Sequence, residues 1–486
     1  MQAYDQVIDR IKDYVFSYDV DSPQAATEAR VALLDAMGCA IETVPLSADC
    51  RRAFRPIVPD TVTPYGFHMP GDSAVLDPLK GSFDMATAVR YLDHNDAIAG
   101  ADWGHPSDNL GAILAVSDWF CRTVASCRIV HTGPPLTMRT LLTALIKAYE
   151  IQGCMLLQIA TNKHGLDHVV WVKLASTAVV AWLLGLSETQ TMAAISQVWM
   201  DGHPLRVSRS GSNTIPRKPW AAGDACMKAT VLALLTRAGQ PGSPSPLTMP
   251  RDGFYAVSFG NKTFDLPQPY GSWVMENIIF KWMPVEGHAL SSVEAALRHR
   301  ARVKARGMKH PEKDIDCIRI YTNAAADMII NKRGPKHNQE DRDHCLQYIV
   351  SLAFLDGTMP AVRDYQDDSV WSLSRAITAL REKIQIQPDE QLTRDYLDLD
   401  VKSLASEMTV RLIDGTVLDE ILVVFPVGHS KHPQTFTTVL EKVRDNLSAM
   451  FSTEAIERME AAFEEESLGI SGFVDLFVLA RSEVKL

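Results

Sequence analysis

Helical periodicity in the first half of the chain constrains the fold more than any other feature. Apolar residues recur three and four positions apart in residues 85–92 and again in residues 138–149, which is the spacing of one buried helix face. Ser187 and Gln190 form a capping-box pattern ahead of an apolar stripe, and this pattern marks another helix start. The region from residue 23 to about 235 is therefore predicted to be mainly helical.

The pattern changes in the second half of the chain. Residues 239–250 hold four prolines and two glycines, which cannot continue a helix and make this stretch a linker candidate. Further on, residues 317–322 alternate, and the apolar stretches 408–413 and 416–425 flank Asp414-Gly415, a strong hairpin signal. Residues 439–450 return to helical spacing. We predict a mainly α protein with an α+β second domain.

Charge and composition argue against several classes of partner. The 486 residues include 48 Lys or Arg and 59 Asp or Glu, a net charge of −11, so the chain lacks the basic surface that nucleic-acid binding requires. The most apolar stretch, residues 178–186, is shorter than the roughly 20 residues of a membrane span. The acidic start has no apolar core typical of a signal peptide. We expect a cytoplasmic protein without nucleic-acid or membrane partners.

Common cofactor and nucleophile motifs are absent from the sequence. There is no P-loop, no G-x-G-x-x-G and no G-x-S-x-G, which removes nucleotide hydrolysis, Rossmann oxidoreduction and α/β-hydrolase chemistry as leading ideas. Eight cysteines occur without a C-x-x-C pair, a usage typical of reduced thiols and not of a disulfide frame or an iron–sulfur cluster. The proline-bearing stretch 56–80 is expected to be an irregular surface segment.

The polar stretch 93–109 is the most informative candidate site. It lies between two predicted helices, and loops held in this way commonly carry function. Gly104 and Pro106 constrain the backbone around His105, and Asn109 ends a Ser-Asp-Asn run suited to a helix start that binds an anion. The functional interpretation is a histidine acid/base beside a carboxylate-binding helix end. The alternative is a capped loop with a structural histidine.

Two histidine clusters resemble metal sites but are discounted. His164 and His168 lie four residues apart, as metal ligands on one helix face do. Gly165 disfavours a helix there, and no third ligand follows at a recognisable spacing. His94, with Asp93 and Asp96, is an equally weak metal-site candidate. We therefore expect no metal, and a role for one of the histidines 164 and 168 in the same cleft as His105.

A third stretch is locally basic in an acidic protein. Arg206, Arg209, Arg217 and Lys218 fall within 13 residues, interleaved with Ser, Thr and Asn. Arginine binds carboxylates through two parallel hydrogen bonds while lysine acts as a point charge, so this stretch suits a substrate with several carboxylates. A solvated loop is the alternative. Further on, Lys281 and His288, and the charged residues 341–348, fit either a site or an ion-pair cluster.

These segments together resemble a known family. Residues 91–96, 102–109, 165–168, 217–224, 269–277 and 341–348 are similar to the corresponding blocks of the MmgE/PrpD family, which includes 2-methylcitrate dehydratase and cis-aconitate decarboxylase. The similarity is collinear from about residue 10 to 475. Several blocks are long enough to make a chance match negligible.

The resemblance carries expectations about architecture. It implies an all-helical domain built from both chain ends and a smaller α+β lid domain, with the active site in the cleft between them. We place the helical domain at residues 1–268 and 426–486 and the lid at residues 269–425. Family members act as homodimers and use neither a metal nor an iron–sulfur cluster, so we expect a homodimer without cofactor.

The resemblance and the residue patterns together give a candidate site. Its expected catalytic residues are His105, His168, Asp93, Lys218 and His288. Its expected substrate-binding residues are Arg206, Arg209, Arg217, Lys281, Asn109 and Arg333. Asp93 is expected to orient a histidine, while the cations hold carboxylates. Which histidine serves as base and which as acid stays open at this stage.

The expected reaction is dehydration of a tricarboxylate, 2-methylcitrate or a longer 2-alkylcitrate, to the corresponding alkyl-cis-aconitate. By the same resemblance, residues 97–102 are smaller than their counterparts in the methylcitrate enzymes, which suggests room for a longer alkyl arm. His94 in place of an aromatic residue is a further difference that bears on substrate identity. Decarboxylation of a cis-aconitate-type tricarboxylate is the first alternative. A non-catalytic member that binds carboxylates or a partner protein is the second, and a metal-dependent lyase is a distant third.

Overall fold

The computed structural model describes residues 3–209, 214–264, 266 and 268–479. The chain forms two compact units, the first made of residues 1–206, 219–278 and 439–486 and the second of residues 207–218 and 279–438. The sequence places the boundaries at 268/269 and 425/426. The structure instead assigns residues 269–278 to the helical unit and residues 207–218 and 426–438 to the other unit.

Both units are built from many short and a few long elements. The helices of the described residues are α1 (Gln6–Ser17), α2 (Pro23–Leu46), α3 (Ala48–Ala53), α4 (Pro78–Arg90), α5 (Leu110–Ala125), α6 (Met138–Gln158), α7 (Val169–Leu183), α8 (Glu188–Met200), α9 (Arg217–Arg237), α10 (Phe254–Ser258), α11 (Leu290–Ala305), α12 (Pro311–Asp314), α13 (Ala324–Ile330), α14 (Gln339–Arg342), α15 (Leu346–Asp356), α16 (Val362–Tyr365), α17 (Arg375–Arg381), α18 (Glu390–Leu397), α19 (Thr435–Ser448), α20 (Thr453–Glu464) and α21 (Ile470–Asp475). The strands are β1 (Phe67–His68), β2 (Val75–Leu76), β3 (Ile315–Thr322), β4 (Ile384–Pro388), β5 (Ser406–Leu412) and β6 (Ile421–Val423).

Small residues let the helices of the first unit pack closely. A core of mostly Ala and Val side chains joins α4, α5, α7, α8 and α9. A Cβ at Gly111 would lie 2.4 Å from the Cβ of Ala86, so α4 and α5 cross at a distance that only glycine permits. The predicted helix start at Ser187 is confirmed, because Ser187 and Gln190 each bond the other's backbone N–H. The prediction of a mainly helical first domain is confirmed.

The helix α6 passes the length and composition test for a membrane span. However, 94% of its apolar 18-residue window is buried inside the protein, and a core helix of a globular unit meets the same test. The sequence expectation, which rested on residues 178–186, overlooked this longer helix. The buried position of α6 matters for the site, because its inward side chains support the loop between α4 and α5.

A buried glutamate on α6 explains why the first unit extends past the expected boundary. The carboxylate of Glu150 accepts hydrogen bonds from the backbone N–H groups of Gly271 at 2.9 Å and Val274 at 2.8 Å. Tyr14 donates to the carbonyl oxygen of Gly271 at 2.6 Å. These bonds give partners to backbone groups of Gly271 and Val274 that would otherwise be unpaired. They attach residues 269–278 to the helical unit.

The linker interpretation of residues 239–250 is wrong. Asp5 accepts a hydrogen bond from the N–H of Leu247 at 2.7 Å and bonds the hydroxyl of Thr248, while its own N–H donates to the carbonyl of Pro244 at 2.8 Å. The prolines prevent internal helix bonds, so the stretch takes its partners from the chain start. It is an ordered part of the first unit.

The stretch 56–80 is irregular, as predicted, but only partly a surface segment. It contains the two-stranded ribbon of β1 and β2, and α4 begins at Pro78. Phe67 and Met69 are buried. The second half of this stretch therefore contributes to the core of the first unit.

The second unit is built on a four-stranded mixed sheet in the order β4-β3-β5-β6. β3 pairs with β4 in parallel and with β5 antiparallel, and β5 pairs with β6 antiparallel. The Asp414-Gly415 turn is confirmed: Gly415 has φ +87°, and the N–H of Leu412 donates to the carbonyl of Thr416 at 2.8 Å. α11 packs on β5 and β6. The predicted α+β second domain is confirmed.

A buried ion pair ties the C-terminal part of the first unit to its N-terminal part. The ammonium of Lys442, on α19, lies 2.6 Å from Oδ1 of Asp35, on α2. It also donates to the carbonyl oxygen of His94 at 2.7 Å. Both charged side chains are almost fully buried. Lys442 thus links His94, at the start of the candidate loop, to helices α2 and α19.

We expect replacement of Lys442 by Met to lower the free energy of unfolding by roughly 3–5 kcal/mol, because it leaves the Asp35 carboxylate buried without its counterion. Urea unfolding would measure the change. Arg444 on the same helix pairs with Glu460 in an exposed position, so R444M, the matched control, should cost less than about 1 kcal/mol. Equal losses in the two variants would contradict the role given to the buried pair.

Candidate active site

The loop between α4 and α5 holds the first group of candidate residues, all in the first unit. Its backbone folds back on itself, because Ile98 and Gly104 exchange hydrogen bonds of 2.9 and 3.4 Å. The N–H groups of Ala101 and Asp102 donate to the last carbonyls of α6. His105 and Asp93 are nearly inaccessible to solvent, at 2% and 1% exposure. The loop is therefore a fixed support for its side chains.

His105 has its tautomer set by the backbone. Its Nδ1 lies 2.7 Å from the carbonyl oxygen of Asp96, and a carbonyl oxygen only accepts hydrogen bonds. Nδ1 must therefore carry the proton, and in the neutral imidazole the lone pair resides on Nε2. This arrangement suits an imidazole that exchanges a proton through Nε2.

The carboxyl group of Asp96, the residue whose main-chain oxygen bonds to His105, is buried. It accepts from the N–H of Ser107 at 3.1 Å, the hydroxyl of Ser107 at 2.7 Å and the hydroxyl of Tyr149 at 2.7 Å. Burial raises the pKa of Asp96 to about 6, although the bonds from Tyr149 and Ser107 favour the ionised form. Asp96 therefore bonds to His105 through its main-chain oxygen and to Ser107 through its carboxyl group.

Asp93 lies at the start of the loop in a left-handed conformation. Its φ is +54°, which a short polar side chain such as Asp tolerates better than a bulky one. Its carboxylate forms a buried ion pair with Arg90, the last residue of α4. Arg90 therefore compensates the charge of Asp93.

His168 lies beside His105, as the sequence predicts. Its ring centroid is 5.9 Å from that of His105, with the planes inclined by 51°. His168 immediately precedes α7, and its Nε2 lies 3.7 Å from Oδ1 of Asp167. A short ladder holds this segment, because Leu166 bridges Leu205 and Asp167 donates to the carbonyl of Pro204 at 2.9 Å.

His164 does not join this cluster. It ends a 3-10 turn, Thr161–His164, and its ring stacks on Phe259 at 4.1 Å between centroids. Gly165, at φ +73°, turns the chain between His164 and His168. The two histidines therefore do not share a helix face. Among the residues that the structure describes, no group of three His, Cys, Asp or Glu side chains is arranged to hold a metal ion.

Asn109 and Arg206 have internal partners in the first unit. The amide of Asn109 donates to the carbonyl of Pro106 and to Gln152, and accepts from Ser176 at 2.7 Å. These bonds use both its donors, so Asn109 anchors the loop, and the geometry gives no support to the predicted substrate contact. Arg206 lies 3.9 Å from Asp102, which reduces the positive charge it offers to a substrate.

The remaining basic residues of that stretch lie in the second unit. Arg209 donates to the carbonyl oxygen of Lys218 at 3.2 Å. Arg217 and Lys218 begin α9, where Lys218 is buried and Arg217 is partly exposed. Thr214 is held by Lys332 at 2.8 Å. Residues 210–213 of the predicted binding loop lie outside the described residues.

A second buried cluster in the same unit surrounds His288. Its Nδ1 lies 3.0 Å from Oε1 of Glu286, and its Nε2 lies 3.1 Å from the hydroxyl of Tyr396. Burial opposes ionisation of Glu286, but the charges of His288, His344 and Lys281 outweigh it and lower the pKa of Glu286 to about 2. Glu286 therefore carries a negative charge inside this buried cluster.

Lys281 and Arg333 differ in their surroundings. Lys281 is fully buried and contributes to the positive field on Glu286. Arg333 is exposed, whereas its neighbours Lys332 and Lys336 face the buried carboxylate of Asp341 at 3.9 and 3.6 Å. Lys332 and Lys336 are thus held near a buried carboxylate, whereas Arg333 is open to solvent.

The sequence alone does not identify four residues of these clusters as functional candidates: Asp96, Tyr149, Glu286 and Tyr396. Glu286 had a signal, since it lies two residues before His288 in a short turn. Asp96 appeared only within a supposed metal cluster. Tyr149 and Tyr396 are 53 and 108 residues from their partners, and nothing in the local sequence marks them.

Fold and site together define a class of protein with a helical unit and an α+β unit. A histidine of fixed tautomer is available for proton transfer, and buried lysines are available to hold anions. The chain belongs to the MmgE/PrpD family. The N-terminal domain of that family matches residues 9–267 and its C-terminal domain matches residues 283–465.

Three relatives match nearly the whole chain. An alkylcitrate dehydratase from a fungal species (strain ATCC 74256) is 54% identical over 98% of this chain and 94% of its own. The 2-methylcitrate dehydratase of Escherichia coli K12 is 42% identical over 98% of both chains. The mitochondrial 2-methylcitrate dehydratase of Yarrowia lipolytica is 42% identical over 98% of this chain and 90% of its own.

Replacement of Glu286 by Gln should destabilise the protein by roughly 3 kcal/mol at neutral pH. Because the pKa of Glu286 is lower in the folded than in the unfolded state, its stabilising effect is present above the unfolded value of about 4.3 and is lost as pH falls towards 2. The difference between wild type and E286Q in urea unfolding should therefore shrink between pH 5 and pH 3.

Glu294 provides the matched control, because burial raises its pKa. The difference between wild type and E294Q should change with pH in the opposite direction. If the two variants show the same pH dependence, the buried charge cluster around Glu286 is not as described.

Proposed function

We propose that this protein is a hydro-lyase that dehydrates a 2-alkylcitrate, either 2-methylcitrate or a longer-chain homologue, to the alkyl-cis-aconitate. The observation that carries the proposal is the fixed imidazole of His105, in a chain whose relatives over 98% of its length are named alkylcitrate and 2-methylcitrate dehydratases. The reaction needs a proton acceptor, a proton donor and positive charge for several carboxylates.

The proposed reaction is an elimination of water that needs a base, an acid and positive charge. A base removes a proton from the carbon next to a carboxylate, and the electron pair of that C–H bond forms the double bond. The C–O bond of the neighbouring carbon breaks, and the hydroxyl leaves as water after an acid protonates it. We assign proton transfer to His105 and His168, with Asp93 as the residue that orients them. A positioned histidine contributes on the order of 10² to 10⁴-fold to the rate.

Negative charge accumulates on the substrate carboxylate as the proton leaves. We assign its stabilisation to Lys218, Lys281 and His288, supported by Arg209 and Arg217. Preorganised charges in a dry environment are usually the largest catalytic contribution. Glu286 supports this role, because its Oε1 lies 3.0 Å from Nδ1 of His288 and holds that ring in place. We propose that these groups suffice without a metal, as the family resemblance implies.

The loop after Asp96 bears on the length of the alkyl arm. Ala97, Ile98 and Ala99 are buried, and a Cβ at Gly100 would lie 2.4 Å from the carbonyl oxygen of Leu156. The missing side chain of Gly100 thus accommodates α6 and does not create space for substrate. Extra room for a long alkyl arm must come from Ala97, Ala99 or Ala101.

Oligomeric state and location stay predictions. We propose a homodimer in the cytoplasm, on the basis of the family resemblance and the sequence composition. Light scattering of the purified protein would test the first point, and fractionation of the producing cells would test the second.

Incubation with citrate, 2-methylcitrate and 2-alkylcitrates of increasing chain length, with product analysis by mass spectrometry, tests the function. We expect loss of one water from an alkylcitrate, unchanged by prior treatment with a chelator. Release of CO₂ from a cis-aconitate would favour the decarboxylase instead. Thermal stabilisation by tricarboxylates without turnover would favour a non-catalytic role, and loss of activity on chelation would favour a metal-dependent lyase.

Replacement of His105 by Ala should reduce kcat at least a hundredfold, because it removes the imidazole that exchanges the substrate proton. The melting temperature reports whether the variant stays folded. H164A is the matched control, since His164 is a nearby histidine outside the cluster, and it should keep activity within twofold of wild type. Near-normal turnover by folded H105A would rule out the assignment.

A further inference from the structure

We propose that Tyr149, on α6, is a positioning residue for His105, acting through Asp96. The hydroxyl of Tyr149 donates to Oδ2 of Asp96 at 2.7 Å, and the main-chain oxygen of the same Asp96 accepts from Nδ1 of His105 at 2.7 Å. One residue thus connects α6 to the imidazole. The inference rests on the proposed function, because its readout is turnover.

The side chain of Asp96 fixes the direction of its own carbonyl group. Oδ1 accepts from the N–H and the hydroxyl of Ser107, and Oδ2 accepts from Tyr149. Ser107 lies two residues after His105, so the carboxyl group spans the histidine and joins both sides of it. Loss of the Tyr149 bond would leave Oδ2 buried without that donor, at a cost of about 1–3 kcal/mol. The carboxyl group would then turn or bind a proton.

The charges around Asp96 make this arrangement sensitive to pH. The carboxylate of Asp35, on α2, disfavours ionisation of Asp96. Lys442, on α19, forms an ion pair with Asp35 and offsets its negative charge. His105 and Ser107 face it from the loop, and Tyr149 faces it from α6. Burial raises the pKa of Asp96 to about 6, and the bond from Tyr149 acts in the opposite direction. Removal of that hydroxyl therefore moves the pKa of Asp96 further up, towards neutrality.

The test is the pH dependence of kcat in Y149F. At pH 6 we expect kcat of Y149F to fall severalfold relative to wild type while KM for the alkylcitrate changes less than twofold. The acid limb of the profile should move to higher pH, and activity should recover at pH 9, where Asp96 is ionised in the variant as well. A purely structural loss would lower kcat equally at all pH values.

Tyr14 supplies a matched control, as a buried tyrosine of the same unit whose hydroxyl donates to a backbone carbonyl, that of Gly271 at 2.6 Å. Y14F should keep the wild-type pH profile. D96N serves if Y149F does not fold: Asn cannot ionise, so the acid limb that reports Asp96 should disappear. Where Y149F folds, Y149F/D96N should lose no more activity than D96N alone.

An unchanged pH profile in folded Y149F, or additive losses in the double variant, would overturn the inference while leaving the proposed function intact. Failure of wild type to dehydrate any alkylcitrate would instead overturn the proposed function. Binding of tricarballylate, a tricarboxylate without a hydroxyl group to eliminate, gives a readout independent of turnover. Its affinity for Y149F should equal that for wild type, and a large loss would show that Tyr149 acts on binding and not on His105.

Discussion

The hydrogen bond from Nδ1 of His105 to the main-chain oxygen of Asp96 determines what the candidate site can do. A histidine able to exchange its tautomers would present a donor or an acceptor at either nitrogen. Here the backbone leaves one arrangement, in which neutral His105 accepts a proton at Nε2. Proton transfer by this side chain, its relation to His168 and the role of Tyr149 all depend on that bond.

The bond in turn depends on a buried polar network built from distant parts of the chain. Asp96 is held by Tyr149 from α6, and the loop backbone is held by Lys442 from α19, which is 348 residues from His94. Buried polar groups of this kind are costly unless every member has a partner. The same contacts therefore stabilise the helical unit and fix the position of His105.

Local signals in the sequence were sufficient for much of the fold. The capping box at Ser187, the Asp414-Gly415 turn and the alternation at 317–322 depend on neighbouring residues. The first two are confirmed, and the alternation lies in the observed strand Ile315–Thr322. The linker at 239–250 was predicted wrongly, because its backbone bonds go to Asp5, more than 230 residues away. The candidate histidines were found from motifs. Tyr149, Glu286 and Tyr396 were not, since their partners are set by tertiary contacts that no local pattern encodes.

The most direct measurement of the central claim is the ¹⁵N NMR spectrum of protein labelled in histidine, recorded at alkaline pH with the His105 signals assigned by comparison with a variant lacking this residue. We predict a protonated, pyrrole-type shift for Nδ1 of His105 and an unprotonated, pyridine-type shift for Nε2. A protonated Nε2 beside an unprotonated Nδ1 would contradict the assignment, because the carbonyl of Asp96 would then have no donor to accept from.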